Sequence, residues 1–179
     1  MKHPLRWVTI GVGSLVAVFG IVLSTQMGTS PLFTGGPILD RTAPAFDLPI
    51  LDADGARVDI SSLAGKSVIV NFWNSWCLPC KEETPALKAF WARHANDPDF
   101  AMVGIVRDDI TSEVRRYVRK EGLEYTIALD PKGRAALAYG TTGQPETFAI
   151  SPAGVVTGKQ LSRVSVNDLE ALLGSARAG

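Results

Sequence analysis

Only two cysteines and two histidines occur among the 179 residues, and the histidines, His3 and His94, lie far apart. A structural zinc site takes four ligands, and no second cysteine pair or clustered histidine supplies them. Charge of either sign is not in excess: 18 Lys+Arg balance 18 Asp+Glu, for a formal net charge of +0. Without a basic stripe interleaved with aromatics, the chain offers nucleic acid no electrostatic footprint. No Gly-rich loop follows a strand, so a phosphate-cradling motif is missing, and Gly11-Val12-Gly13 falls inside an apolar segment instead. Internal repeats, low-complexity stretches and long charge runs are likewise absent.

What is present is a pairing of those two cysteines. They stand two residues apart in Trp76-Cys77-Leu78-Pro79-Cys80, directly after the apolar run Val68 to Trp73. Lys81 to Trp91 then carries apolar residues at helical spacing, which puts the pair at a strand-to-helix turn. Cys77 is thereby expected at a helix N-terminus, where backbone N–H groups and the helix dipole stabilise a thiolate and lower its pKa from about 8.5. The thiolate is the form that attacks a disulfide. Cys80, one turn on, can displace the mixed disulfide that results, so the pair forms a two-electron redox couple. A purely structural disulfide is the plainer reading. It has little to recommend it, because closing a loop of two intervening residues removes little unfolded-state entropy.

The N-terminus divides into three parts. Residues 1–6 carry Lys2 and Arg6, and Trp7 to Leu23 is free of charge for 17 positions, extendable through Ser24 and Thr25. A spanning helix needs about 17–25 residues and the apolar core of a cleaved signal about 7–15, so residues 7–25 read as a transmembrane anchor or uncleaved signal. Gly28-Thr29-Ser30 offers small residues at the spacing of a cleavage site, and cleavage there is the alternative. The positive-inside rule places residues 1–6 in the cytoplasm and the rest outside, in a compartment where disulfides persist. The expected location is therefore the cell membrane, single-pass, with an extracytoplasmic domain. Residues 26–42, rich in Gly, Ser, Thr and Pro, read as a linker. Leu32, Phe33, Ile38 and Leu39 leave open an ordered extension docked on the domain.

From residue 43 to 176 strands and helices alternate. A short hairpin is expected around Asp52-Ala53-Asp54-Gly55, then a buried strand Ser67 to Trp73 and the cysteine helix, kinked by Pro85. A strand Ala101 to Val106 and a helix Thr111 to Glu121, ended by Gly122, come next. Thr126 to Leu129, Gly133 to Tyr139, Glu146 to Ile150, Val155 to Leu161 and Val166 to Leu173 read as strand, helix, strand, strand and helix. This order predicts an α/β sandwich with a mixed central sheet.

Trp-Cys-x-x-Cys after the first long buried strand, with Gly143-Gln144-Pro145 before the later hairpin, resembles the thioredoxin superfamily. Within it the chain is most similar to the membrane-tethered thiol–disulfide oxidoreductases of the TlpA, ResA and CcmG (DsbE) group. Three runs carry the match: Val70 to Cys77, with Asn71 where thioredoxin has a buried aspartate; Cys80-Lys81-Glu82-Glu83-Thr84-Pro85; and Tyr139 to Phe148, with Pro145-Glu146-Thr147-Phe148 closest to CcmG. The resemblance implies a thioredoxin-like fold and a catalytic pair Cys77 and Cys80. It implies no cofactor beyond their disulfide and no metal.

It also implies that Pro145 is cis and faces Cys77, presenting the Gln144 backbone to an extended substrate segment. Trp76 becomes the apolar rim of the site and Pro79 part of its support. Ordinary core packing is the alternative for Trp76. Glu83 occupies the family's acidic position, and a solvated carboxylate near a helix start is its plainer reading. Glu146 is expected beside the thiols as a tuner or proton relay, against an exposed strand residue. Asn71 cannot titrate, so proton handling falls to Glu146, Glu83 or water.

The implied activity is reduction of client disulfides, such as those of apocytochrome c during cytochrome c maturation, recharged by a membrane electron donor of the DsbD or CcdA type. Leu78-Pro79 lacks the histidine of strong oxidants such as DsbA, which favours the reductant over a disulfide-forming oxidant. A peroxidase would want a threonine where Asn74 stands, and a copper-handling module a third residue between the cysteines and a distant histidine.

Overall fold

Every residue of the strand Ser67–Trp73 is buried, which requires cover on both faces of the sheet that contains it. The computed structural model describes residues 38–179, and the elements are as follows. A hairpin pairs β1 (Asp47–Pro49) with β2 (Arg57–Asp59), followed by a single 3₁₀ turn at Ser61–Leu63. Then come β3 (Ser67–Trp73), α1 (Leu78–His94), β4 (Phe100–Arg107), α2 (Thr111–Glu121), β5 (Thr126–Asp130) and α3 (Arg134–Ala138). The chain ends with β6 (Glu146–Ile150), β7 (Val156–Leu161) and α4 (Val166–Ala178).

The main sheet has the order β5-β4-β3-β6-β7. β3 pairs with β4 and β4 with β5 in parallel, whereas β6 pairs antiparallel with both β3 and β7. This is the expected mixed sheet of a thioredoxin-like α/β sandwich. Ile69 and Trp73 of β3 pack in one core with Leu87 and Phe90 of α1, Val114 of α2 and Leu169 and Leu172 of α4. Val68, Val70 and Phe72 point the other way, into a second core with Phe46, Leu48 and the α3 residues Ala135 and Ala136. Period-two alternation along β3 thus feeds two cores from one strand. On the second face the rings of Phe72, Tyr139 and Phe148 lie with centroids 5.2–5.7 Å apart.

One glycine is fixed by packing. A Cβ on Gly104 of β4 would come within 2.8 Å of Trp73 Nε1 and 2.9 Å of Tyr125 Cε2. Gly122 ends α2 with φ +65°, the left-handed cap expected from its position.

The chain joins the domain earlier than residue 43. Asp40 N–H donates to Val156 O and Val156 N–H to Arg41 O, while Ile38 and Leu39 pack on the second core. Pairing of these backbone groups with β7 outweighs the linker-like composition that suggested a boundary at 42. α1 runs unbroken through Pro85, because the missing N–H frees only the carbonyl one turn back, that of exposed Lys81. α4 extends to Ala178, five residues past the helix end expected at Leu173 and two past the domain boundary expected at 176. The membrane segment expected at 7–25 and most of the linker lie outside the described residues. Among the described residues no helix is long and apolar enough to cross a membrane.

Candidate active site

β3 delivers the chain to its end at Trp73, and four residues later α1 begins with Cys77 as its N-cap. Pro79 sits in the first turn, where its lack of an N–H costs nothing. Cys77 and Cys80 are joined as a disulfide. Cys80 N–H also donates to Cys77 Sγ at 3.2 Å. Sulfur therefore stands where a capping oxygen usually stands, and on reduction the same amide and the helix dipole favour the thiolate of Cys77. Cys80 lies inside the first turn.

Exposure does not distinguish the two cysteines. Cys77 is 5% exposed and Cys80 3%, so the helix-capping sulfur is nearly as covered as its partner in the oxidised state. Its neighbours are the exposed ones, Trp76 at 65% and Leu78 at 67%. Trp76 is thus a surface side chain and not a core one.

Behind the disulfide lies a buried polar cluster. Glu83, on the same helix, is 1% exposed, not a solvated carboxylate. Its Oε1 accepts from Asn71 Nδ2 at 3.0 Å and its Oε2 from Val164 N–H at 2.9 Å. Asn71 Nδ2 also donates to Thr147 Oγ1 at 3.0 Å. Burial pushes the Glu83 carboxyl up to about 7 from an ordinary 4.5, although both donors pull the other way. The strand position carries an amide that cannot titrate, and the group that can, Glu83, lies on the facing helix. Thr84 Oγ1 lies 3.1 Å from Cys80 O and 2.7 Å from Tyr117 Oη, linking the first turn of α1 to α2.

Glu146 is buried, yet away from the thiols. On β6, Thr147 lies opposite Asn71 on the cysteine side, so Glu146, opposite Phe72, faces the second core. Its Oε1 accepts from Thr142 N–H at 2.7 Å and Gly143 N–H at 3.0 Å, and its Oε2 pairs with Lys159 Nζ at 2.7 Å. Burial works to raise this carboxyl, but Lys159 and the two amides overcome it and hold the pKa below the usual range. The position beside the thiols expected for Glu146 is therefore corrected: it ties down the Thr142–Pro145 turn from the opposite face. Gln144 and Pro145 occupy that turn, with Pro145 buried and the bond between them cis.

Sequence reasoning passed over Asp109. An aspartate just before a helix reads as its cap, but α2 begins at Thr111 with Ile110 as N-cap and no capping side chain. The Asp109 carboxylate turns instead to the cysteine loop, accepting from Ser75 N–H at 2.7 Å. The signal available was the pair Asp108-Asp109 at the end of a strand parallel to the cysteine strand, where loops of α/β folds gather at the site.

A buried dithiol/disulfide at a helix N-terminus, with a carboxyl near neutrality behind it, is equipped to exchange electrons with other thiols. Known proteins agree. The family model described as Redoxin matches residues 39–173. The thiol-disulfide oxidoreductase ResA of Bacillus subtilis (strain 168) is 30% identical over 131 residues, covering 71% of this chain and 73% of that protein. The thiol:disulfide interchange protein DsbE of Allochromatium vinosum is 30% identical over 129 residues, covering 72% and 69%. Among solved structures, a thiol:disulfide interchange protein of the thioredoxin family from Chlorobium tepidum TLS superposes with a TM-score of 0.67 at 27% identity, covering 80% of this chain and 99% of that one. From Lys-Glu-Glu and Trp-Cys-x-x-Cys to the mixed sheet, sequence and geometry converge: the chain belongs to the Redoxin family, as a thiol–disulfide oxidoreductase of the ResA and DsbE type on a thioredoxin-like fold.

Proposed function

We propose that this oxidoreductase works as a membrane-tethered, extracytoplasmic reductant of client disulfides, apocytochrome c among them. The observation that carries the reading is the conjunction of a helix-capping Cys77 with a buried Glu83 carboxyl near 7, one turn beyond Cys80. In the reduced protein the Cys77 thiolate attacks a client disulfide, forming a mixed disulfide and releasing one client thiolate, which takes a proton. Glu83 accepts the Cys80 proton. The Cys80 thiolate then attacks Cys77 Sγ, releases the second client thiol and closes the Cys77–Cys80 disulfide. Two electrons pass to the client, and a membrane dithiol donor of the DsbD or CcdA type restores the pair. Trp76 would line the docking face, and the Gln144 backbone before Pro145 would pair with the client segment, both by resemblance to the family.

The reduction potential of the pair tests the direction. A value near thioredoxin's, about −270 mV, supports the reductant, and one near about −120 mV overturns it in favour of an oxidant. Location is tested by fractionation: the reading expects the protein in membranes with Cys77 reachable from outside, and recovery as a soluble extracytoplasmic product would replace the tether by secretion.

A further inference from the structure

Three of the large apolar side chains left exposed among the described residues, Trp76, Leu78 and Ile110, belong to the cysteine turn and to the loop between β4 and α2. Ile110 is 67% exposed. Trp76 and Ile110 line the same groove, about 660 Å³ in volume, whose remaining walls are largely charged, with Lys81, Arg116 and Lys120 facing Asp108, Asp109 and Glu113. Lone exposed apolar residues are unremarkable, but two facing one groove beside a redox disulfide form a contact surface.

One carboxylate governs both walls. Asp109 Oδ2 accepts from Ser75 N–H at 2.7 Å, the amide that leads into Trp76. Its Oδ1 accepts from Ile110 N–H at 2.7 Å and from Ser75 Oγ at 3.2 Å. Asn74 reinforces the tie, its Nδ2 lying 3.4 Å from Asp109 Oδ2 and donating also to Arg107 O. Asp108 next door is exposed, with φ +48°. The loop turns at Asp108 and presents Asp109 to the cysteine segment.

The geometry points to Asp109 as a positioning residue that holds Trp76 and Ile110 in place, preorganising a groove for a client segment that carries an apolar side chain among charged ones next to its disulfide. This rests on the reductant reading of the site. Asp109 touches neither sulfur; it acts through the backbone of Ser75 and Ile110. Preorganised walls lower the ordering cost of binding and leave the exchange step alone, so the effect belongs in client affinity and not in the limiting rate.

The test is single-turnover reduction of an oxidised synthetic peptide, a Cys-x-x-Cys disulfide flanked by Leu, Lys and Glu, by pre-reduced protein over a range of peptide concentrations. Ellman's reagent, which carries no peptide segment, serves as the second disulfide. Asp109→Ala is expected to raise the half-saturating peptide concentration about tenfold, with the limiting rate and the rate with Ellman's reagent within about twofold of wild type. Asp54→Asn, which removes the same charge from an exposed position outside the groove, is expected to change none of these more than about twofold. Asp109→Asn keeps the volume and one acceptor oxygen, and carries the test with an expected rise of about threefold should the alanine variant fail to fold. An unchanged half-saturating concentration, a parallel fall with Ellman's reagent, or an equal rise in Asp54→Asn overturns the inference. Failure of the wild type itself to reduce the peptide, with fast exchange with Ellman's reagent, overturns the reductant reading and this inference with it.

Discussion

Asn71 Nδ2 donates to Glu83 Oε1 at 3.0 Å inside the protein, so a strand amide and a helix carboxyl share the place behind Cys80 where one titrating residue would suffice. The amide can donate to the carboxylate or, turned over, accept from the acid. The cluster therefore accommodates either protonation state of Glu83, which suits a group whose carboxyl is raised to about 7.

That rise has a cost in stability with a definite sign. A Glu83 carboxyl at about 7 folded against 4.5 unfolded binds an extra proton in the native state between those values, so stability falls as pH rises from about 4.5 to about 7. The gap corresponds to about 3 kcal/mol. Glu83→Gln should therefore match the wild type near pH 4.5 and gain on it progressively up to pH 8, in urea unfolding of the oxidised protein. A difference that does not vary with pH would show that the carboxyl titrates normally.

Glu146 is expected to behave oppositely. Its folded pKa is depressed, so its contribution is present above the unfolded value and is lost as pH falls below it. Glu146→Gln leaves Lys159 Nζ, 13% exposed, without its counter-charge and should cost about 3 kcal/mol at pH 7, shrinking towards acid. Because its carboxylate lies on the far face of the sheet, the pH profile of Cys77 alkylation should not move. A shifted profile with unchanged stability would put Glu146 back beside the thiols.

Alkylation also separates the roles of the two cysteines. Since Cys80 N–H already points at Cys77 Sγ, limiting iodoacetamide added to the reduced protein near pH 7 should label Cys77 first, and Cys80→Ala should trap client mixed disulfides. Preferential labelling of Cys80, or trapping by Cys77→Ala, would reverse the assignment.

Gly104→Ala probes the packing beneath the site. Its methyl group would meet Trp73 Nε1 at 2.8 Å and Tyr125 Cε2 at 2.9 Å, both in buried side chains. A loss of about 1–3 kcal/mol is expected on urea unfolding, with a changed near-ultraviolet spectrum from Trp73. Wild-type stability would mean that the indole moves aside freely.

Much of this was legible because strands and helices here announce themselves by period. Ser67–Trp73, Thr111–Glu121 and Glu146–Ile150 fall where apolar spacing and the glycine at 122 put them. The cysteine turn followed from a buried strand running into a helical pattern. The fate of the acidic residues did not follow. Glu82 and Glu83 are adjacent in sequence, yet Glu82 is exposed and pairs with Arg163 whereas Glu83 is buried against Asn71. A helical step of about 100° separates solvent from core, and Glu83 falls on the buried stripe of Cys80, Leu87 and Phe90, a place where a carboxylate is not expected until Val164 N–H and Asn71 are there to meet it. Glu146 and Thr147 pose the same problem in a strand, where neighbours face opposite sides. Asp109 was hidden for a different reason: its partners on the cysteine segment, Ser75 and Asn74, lie more than thirty residues away in sequence.

The segment that precedes the first hairpin has a second consequence. Residues 40–43 hydrogen-bond along β7 and its preceding turn, and Ile50 and Leu51 bond to β5. β7 and β5 are the two outermost strands of the five. Between them the chain crosses the second face, with Phe46 and Leu48 buried beneath it. The same dozen residues therefore cover the start of β7 at Val156 and the middle of β5 at Ile127 and Ala128, part of each open margin that would otherwise template intermolecular strand addition. A version truncated to begin beyond Leu51 would retain both cysteines but bare those margins, and would meet its own copies before any client.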